Sequence, residues 1–130
     1  MKKEKASKKS ILLIDDDRVV LQTITKLLEK EGYFVRPYQD AREAIKDASQ
    51  EDFDLVITDI RMPHIDGFET IRYMREMRYE QQKPAVPEIL ITGYSEDYAE
   101  KAGALKPHAL VFKPFNLNEF LNIVKTAFER

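Results

Sequence analysis

The stretch ILLIDDDRVV, residues 11–20, places three consecutive carboxylates directly after four aliphatic residues. A short apolar run of this kind is typical of a buried strand. Charged groups at the edge of a hydrophobic core are stable only beside a compensating charge, and two like charges ~4 Å apart repel by ~4 kcal/mol at an effective dielectric near 20. The stretch therefore predicts a buried strand whose end carries an acidic site with a positive partner.

Apolar runs alternate five times with segments of helical periodicity along the chain. The predicted strands are Ser10–Asp15, Tyr33–Tyr38, Asp54–Asp59, Glu88–Thr92 and Ala109–Phe112. Strict alternation predicts parallel strands joined by right-handed crossovers. Pro37 cannot donate to a ladder, so the second strand belongs at an edge. The predicted fold class is α/β, a flavodoxin-like (βα)5 three-layer sandwich with strand order 2-1-3-4-5.

Capping motifs mark where several of the predicted helices begin. Asp40, Asp66 and Asn116 each stand three residues before a Glu, the spacing of a capping box. Asp17 directly precedes the first helical stripe, so we interpret it as an N-cap rather than a metal ligand. The third and fourth helices, near 68–79 and 96–104, have less regular patterns.

Composition restricts the class of protein. A chain of 130 residues without cysteine suits one domain and excludes disulfides and thiolate sites. We predict a disordered basic tail over residues 1–9 and one domain over 10–130. Without the tail's five lysines and one glutamate, 16 basic and 22 acidic residues remain, which argues against nucleic-acid binding. Because no apolar run reaches ~20 residues, we expect no membrane span and a cytoplasmic location.

Polar side chains stand at the carboxyl ends of four predicted strands, where ligands bind in open α/β sheets. Asp15 and Asp16 follow the first strand, Asp59 ends the third, Thr92 the fourth, and Lys113 follows the fifth. One lysine cannot neutralise three carboxylates, whereas Mg²⁺ favours such oxygen ligands. The sequence therefore predicts a magnesium site with one open face. With four glycines in the chain, no glycine-rich phosphate loop is present.

Four segments, LLIDDD, VITDIRMPHIDG, ILITGYSE and VFKPF, resemble the defining segments of the response-regulator receiver domain of two-component signalling. The resemblance covers roughly residues 10–129. It implies that Asp59 is a phosphoacceptor that takes a phosphoryl group from a phosphohistidine. It also implies that Thr92 and Lys113 contact the phosphoryl oxygens, and that Mg²⁺ has four protein ligands: Asp15, Asp16, Asp59 and the backbone carbonyl of Arg61.

The resemblance also implies partners and an output. The phosphodonor would be a sensor histidine kinase or a histidine phosphotransfer protein, and the protein would catalyse only its own phosphorylation and dephosphorylation. We expect output to a downstream effector through the face of the fourth helix, fifth strand and fifth helix, with no direct nucleic-acid or membrane contact. The resemblance leaves open whether the protein forms a phosphorylation-dependent homodimer. The motifs fit a single-domain regulator and a piece of a longer chain equally well.

The sequence departs from the receiver pattern at Leu110, where receivers often carry Tyr or Phe. Arg61 and Tyr94 are predicted to flank the path of the attacking water. Two other functions remain as alternatives. An Mg²⁺-dependent aspartyl-phosphate phosphohydrolase needs a second Asp two residues after the first, where this chain has Arg61. A flavin module needs a glycine-rich loop after the first strand, where this chain has three carboxylates.

Overall fold

The computed structural model describes residues 8–93 and 95–129, without the side chains of 95–98. Its strands are β1 (Ser10–Ile14), β2 (Phe34–Tyr38), β3 (Leu55–Asp59), β4 (Glu88–Thr92) and β5 (Ala109–Phe112). Its helices are α1 (Arg18–Lys30), α2 (Ala41–Ala48), α3 (Gly67–Glu80), α4 (Ser95–Leu105) and α5 (Leu117–Ala127). Most of the tail predicted to be disordered, and the predicted role of Tyr94, lie outside the described residues.

The five strands form one parallel sheet in the order β2-β1-β3-β4-β5. The predicted fold class and strand order are confirmed. Pro37 lies in the edge strand β2 opposite Leu13 of β1. Because an edge strand has only one neighbouring strand, the sheet tolerates the N–H donor that proline lacks at this position. In the described part of the chain, no helix has the length and apolar character needed to cross a membrane.

Side chains alternate between the two faces of the sheet, and each face is buried under helices. From β1, Ile11 and Leu13 enter the cluster that packs against α1 and α5, whereas Leu12 and Ile14 enter the cluster against α2 and α3. A third cluster packs Leu90 against α3 and α4. All four of these β1 side chains are at most 1% exposed, as expected for a strand covered on both faces.

The first three strands are each one residue shorter than the sequence predicted, whereas β4 and β5 have the predicted bounds. Asp15 still donates its backbone N–H to the Tyr38 carbonyl, at 3.0 Å. Its side chain, however, accepts a hydrogen bond from the Asp17 backbone N–H, so the chain already turns there. The helices α3 and α4 each extend one residue further at both ends than predicted.

The predicted N-caps are all in place, but only one forms the full capping box. Asp66 accepts from the Glu69 backbone N–H while the Glu69 carboxylate accepts from the Asp66 N–H. The Asp40 carboxylate instead accepts from the backbone N–H and the guanidinium of Arg42, while the Glu43 backbone N–H donates to the Asp40 carbonyl. Asp17 caps α1 and Asn116 caps α5.

Candidate functional site

Four adjacent strands bring the candidate residues to one edge of the sheet. Asp59 is the last residue of β3 and pairs in register with Ile91, next to Thr92 at the end of β4. Asp15 follows β1 on the other side of β3. The backbone N–H of Lys113 donates to the Thr92 carbonyl at 2.7 Å, which holds the residue after β5 beside β4. The predicted convergence is therefore present in the structure.

Three carboxylates form one compact cluster at this edge. One oxygen each from Asp15, Asp16 and Asp59 lie within 4.8 Å of one another. Asp15 is 1% exposed and Asp59 is 8% exposed, whereas Asp16 lies at the solvent-facing rim. A set of oxygen donors with one exposed side suits a hard divalent cation that keeps some of its water ligands, and Mg²⁺ is such a cation. The donor chemistry fits the predicted metal.

Lys113 supplies a positive charge to this cluster. Its Nζ lies 3.2 Å from Oδ2 of Asp15 and 3.5 Å from Oδ2 of Asp59. The peptide bond between Lys113 and Pro114, directly after the lysine, is cis. One ammonium between two carboxylates leaves the cluster with an excess of negative charge, which favours the binding of a further cation.

Backbone donors fix the orientation of the two buried carboxylates. The Asp17 N–H donates to Oδ1 of Asp15 at 2.9 Å, and the Ile60 N–H donates to Oδ1 of Asp59 at 3.1 Å. In both residues Oδ2 is then the oxygen that faces the lysine. The orientation of the Asp59 carboxylate is thus fixed by the backbone directly after β3 and does not depend on side-chain packing alone.

Burial and crowding shift the pKa values of all three groups. Burial, and then the Asp15 charge, raise the pKa of Asp59 to about 6 despite the opposing effect of Lys113. Burial also raises the pKa of Asp15, although the Asp17 N–H and Lys113 act against it. Burial lowers the pKa of Lys113, but the two carboxylates outweigh it and leave that pKa raised. Each carboxylate is therefore costly to ionise until more positive charge arrives.

An open cleft of about 520 Å³ gives access to Asp59. Its lining residues are Asp59, Arg61, Met62, Pro63, Gly93 and Lys113. Thr92 is fully buried, with its neighbour Gly93 on the cleft wall. Met62 packs against the α2–α3 cluster and also lies on the cleft wall.

Two backbone hydrogen bonds hold the loop between Asp59 and α3 in a compact form. The sequence did not predict these bonds. The Gly67 N–H donates to the Ile60 carbonyl at 2.8 Å, and the Ile65 N–H donates to the Pro63 carbonyl at 2.9 Å. The second bond makes a γ-turn around His64, whose φ is 71°. Gly67 directly follows the N-cap Asp66 and is the first residue of α3. The sequence alone could not show that Gly67 lies against the backbone of Asp59 and Ile60.

Comparison with known proteins agrees with this geometry. The model of the family described as "Response regulator receiver domain" matches residues 11–125. The chain is 31% identical over 121 residues to the regulatory protein VanRc of Enterococcus gallinarum, and the match covers 92% of the chain and 50% of that protein. The chain thus spans about half the length of this curated relative.

Solved structures agree in fold. A CheY-like response regulator receiver domain protein of Methanospirillum hungatei JF-1 superposes with a TM-score of 0.84 at 29% identity, covering 95% of each chain. The response regulator TrrA of Thermotoga maritima, in complex with Mg(2+)-BeF, has a TM-score of 0.77 at 31% identity, covering 92% of this chain and 98% of TrrA. The five-stranded order, the acidic cluster beside a lysine and the family match together show that the chain belongs to the receiver domains of two-component response regulators.

Proposed function

We propose that Asp59 is the phosphoacceptor of this receiver domain. The supporting observation is the contact of its carboxylate with Lys113 at 3.5 Å, on the wall of an open cleft. No other carboxylate lines this cleft among the described residues. Asp15, although close, is almost fully buried and accepts hydrogen bonds on both oxygens, from the Asp17 N–H and from Lys113. Of the two buried carboxylates, Asp59 is therefore the one that a phosphodonor can reach through the cleft.

The proposed reaction is a phosphoryl transfer from a phosphohistidine. An Asp59 oxygen forms a bond to phosphorus while the P–N bond to the imidazole breaks, and the imidazole nitrogen keeps the electron pair and takes up a proton. The product is an aspartyl phosphate. Lys113, already between the two buried carboxylates, stabilises the charge on the transferred group, and the Thr92 hydroxyl donates to another of its oxygens. Water attack on the same phosphorus returns the carboxylate and inorganic phosphate.

Mg²⁺ is the proposed cofactor. Asp15, Asp16, Asp59 and the backbone carbonyl of Arg61 would hold the ion, whose charge would neutralise the cluster and the phosphoryl oxygens. The oxygen-only donor set supports this assignment. The structure of TrrA was determined with Mg(2+)-BeF, and TrrA is 31% identical to this chain. Metal binding would also lower the electrostatic cost of ionising Asp59, which in the metal-free protein has a pKa of about 6.

The proposed phosphodonor is a sensor histidine kinase or a histidine phosphotransfer protein, and the proposed location is the cytoplasm. Output to an effector would use the face of α4, β5 and α5. On that side of the molecule Phe112 is 42% exposed and Leu117 is 50% exposed, so apolar contact area is available. Phosphorylation would act by changing the relative free energies of two arrangements of this face.

Intact-mass spectrometry after incubation with acetyl phosphate and Mg²⁺ tests the proposal. We expect one phosphoryl group on the wild-type protein, none on Asp59→Asn and none in the presence of EDTA. Asp52→Asn is the matched control, because that side chain is 77% exposed and lies outside the cleft. A phosphoryl group that persists on Asp59→Asn would place the acceptor elsewhere.

A further inference from the structure

The first residue of α3 lies against the backbone of the proposed phosphoacceptor. A Cβ on Gly67 would lie 2.5 Å from the Asp59 carbonyl oxygen, 2.8 Å from the Ile60 Cα and 3.2 Å from the Asp59 carbonyl carbon. All three atoms belong to the backbone, so no side chain can rotate away from such a group. A residue with a side chain at this position therefore requires either the helix or the Asp59–Ile60 peptide to move.

Core contacts and hydrogen bonds hold the helix in place. Phe68 and Ile71 are both fully buried in the cluster between α3, α4 and the sheet. Further along α3, Arg75 makes two hydrogen bonds to the buried Glu88 carboxylate, at 2.8 and 2.6 Å. The Asp59–Ile60 peptide lies at the end of β3, where Ile60 is buried in the same cluster and donates its N–H to the Ile91 carbonyl at 3.0 Å. Neither side can move freely, so the displacement is expected to be shared by the helix, the peptide and the loop that follows it.

That loop contains Arg61, whose backbone carbonyl is one of the four proposed metal ligands. Arg61 stands between the crowded Ile60 and the γ-turn at His64, in a segment closed by the hydrogen bond from the Gly67 N–H to the Ile60 carbonyl. A shift of Ile60 moves both the Arg61 carbonyl and the Asp59 carboxylate, which accepts from the Ile60 N–H. Two of the four proposed magnesium ligands thus depend on one close contact.

We infer that Gly67 is a positioning residue of the phosphorylation site, because its lack of a Cβ lets α3 rest on the Asp59–Ile60 peptide and sets the metal ligands in place. The inference depends on the proposed function for the identity of the ligands. Misplacement of reacting groups by about 1 Å costs on the order of a hundredfold in rate. We expect Gly67→Ala to weaken Mg²⁺ binding by roughly tenfold or more and to slow phosphorylation of Asp59 by a similar or larger factor.

Two control variants separate positioning from general destabilisation. Ile71→Val removes a methyl group from the same helix within the core, at a residue that is not one of the proposed ligands. Gly103→Ala adds a Cβ in α4 where nothing lies within 4 Å. Both are expected to keep Mg²⁺ affinity and phosphorylation rate within about twofold of wild type, whatever their effect on Tm. Mg²⁺ alone is the probe for affinity, measured by calorimetric titration.

A measurement on the wild-type protein keeps the inference testable if Gly67→Ala does not fold. The chain has four glycines, so ¹⁵N-glycine labelling gives four amide signals. We expect the Gly67 signal to shift with Mg²⁺ at the dissociation constant of the site, while Gly32 and Gly103 stay unchanged.

A folded Gly67→Ala with normal affinity and rate, or a Gly67 signal unchanged at saturating Mg²⁺, overturns the inference and leaves the proposed function intact. A wild-type protein that takes up neither Mg²⁺ nor a phosphoryl group on Asp59 overturns both.

Discussion

Asp59→Asn is expected to stabilise the metal-free protein. The pKa of Asp59 is raised from 3.8 to about 6, mainly by burial. At 1.36 kcal/mol per pKa unit, ionising this carboxylate in the folded state costs ~3 kcal/mol relative to the unfolded chain. Since the residue is 8% exposed, little of this cost is screened by solvent. The amide carries no charge, but it accepts more weakly from the Ile60 N–H. We therefore expect a gain of roughly 2 kcal/mol in the free energy of unfolding at pH 8.

The stability gain of Asp59→Asn is expected to increase with pH. Between about pH 4 and pH 6 the folded state keeps a proton that the unfolded chain has lost. The wild type therefore loses stability as pH rises through this window and stays at the lower value above it. The Asn variant has no such proton, so its advantage is largest above pH ~6 and fades as pH falls toward 4.

Urea denaturation followed by circular dichroism in EDTA, at pH 8 and pH 4.5, measures both quantities. Asp16→Asn is the control, because Asp16 is exposed at the rim, and it should change stability by less than about 0.5 kcal/mol. Mg²⁺ at ten times its dissociation constant should add ~1.4 kcal/mol to the wild type and less to Asp59→Asn. An Asn variant no more stable than wild type at pH 8 in EDTA would refute the attribution of the raised pKa to burial.

Three further changes test other contacts. Lys113→Met should abolish detectable phosphorylation and lower stability in EDTA by roughly 1–3 kcal/mol, because two buried carboxylates lose their cation; unchanged urea midpoints would contradict this. Glu88→Gln should lower the free energy of unfolding by roughly 1–3 kcal/mol, because it removes the charge of the buried carboxylate that pairs with Arg75. Phosphorylation should continue in this variant. The same urea denaturation series measures the change in stability. Burial, and then the hydrogen bond to Asp47, raise the pKa of Tyr38 to about 12, so ultraviolet titration of Tyr38→Phe should lack a tyrosine transition near pH 12. The stability linked to the Tyr38 proton is present below pH 10 and is lost as pH rises through about 12.

Features that depend on sequence periodicity and on residue chemistry were predictable. Pro37 alone placed β2 at an edge, and the polar residues after apolar runs identified the strand ends that meet at the site. Each of these patterns involves only residues that are close in sequence. Because the carboxyl ends of parallel strands lie at the same edge of the sheet, residues that follow different strands are predicted to lie close together. Strand bounds were less accurate, because whether Asp15 continues the strand depends on the hydrogen bond that its own side chain accepts.

Contacts between residues far apart in sequence were not predictable from one chain. Nothing local distinguishes Arg75, which binds the buried Glu88, from the other arginines of α3. Likewise, the Asp-Gly pair predicts a turn without showing which backbone atoms lie against the glycine. These contacts follow from the packing of complete elements, and sequence spacing does not encode the distance between atoms.

The bond between Lys113 and Asp15 joins residues 98 positions apart, from the first strand region and the segment after the last strand. The two ends of the site meet only when nearly the whole sheet has formed around β3. A chain in which β5 and the segment after it have not yet been added would contain Asp59, the proposed phosphoacceptor, but not the ammonium of Lys113. On the proposed function, the ability to accept a phosphoryl group would therefore require this segment to be folded onto the sheet, and chains without it would not respond to an active donor.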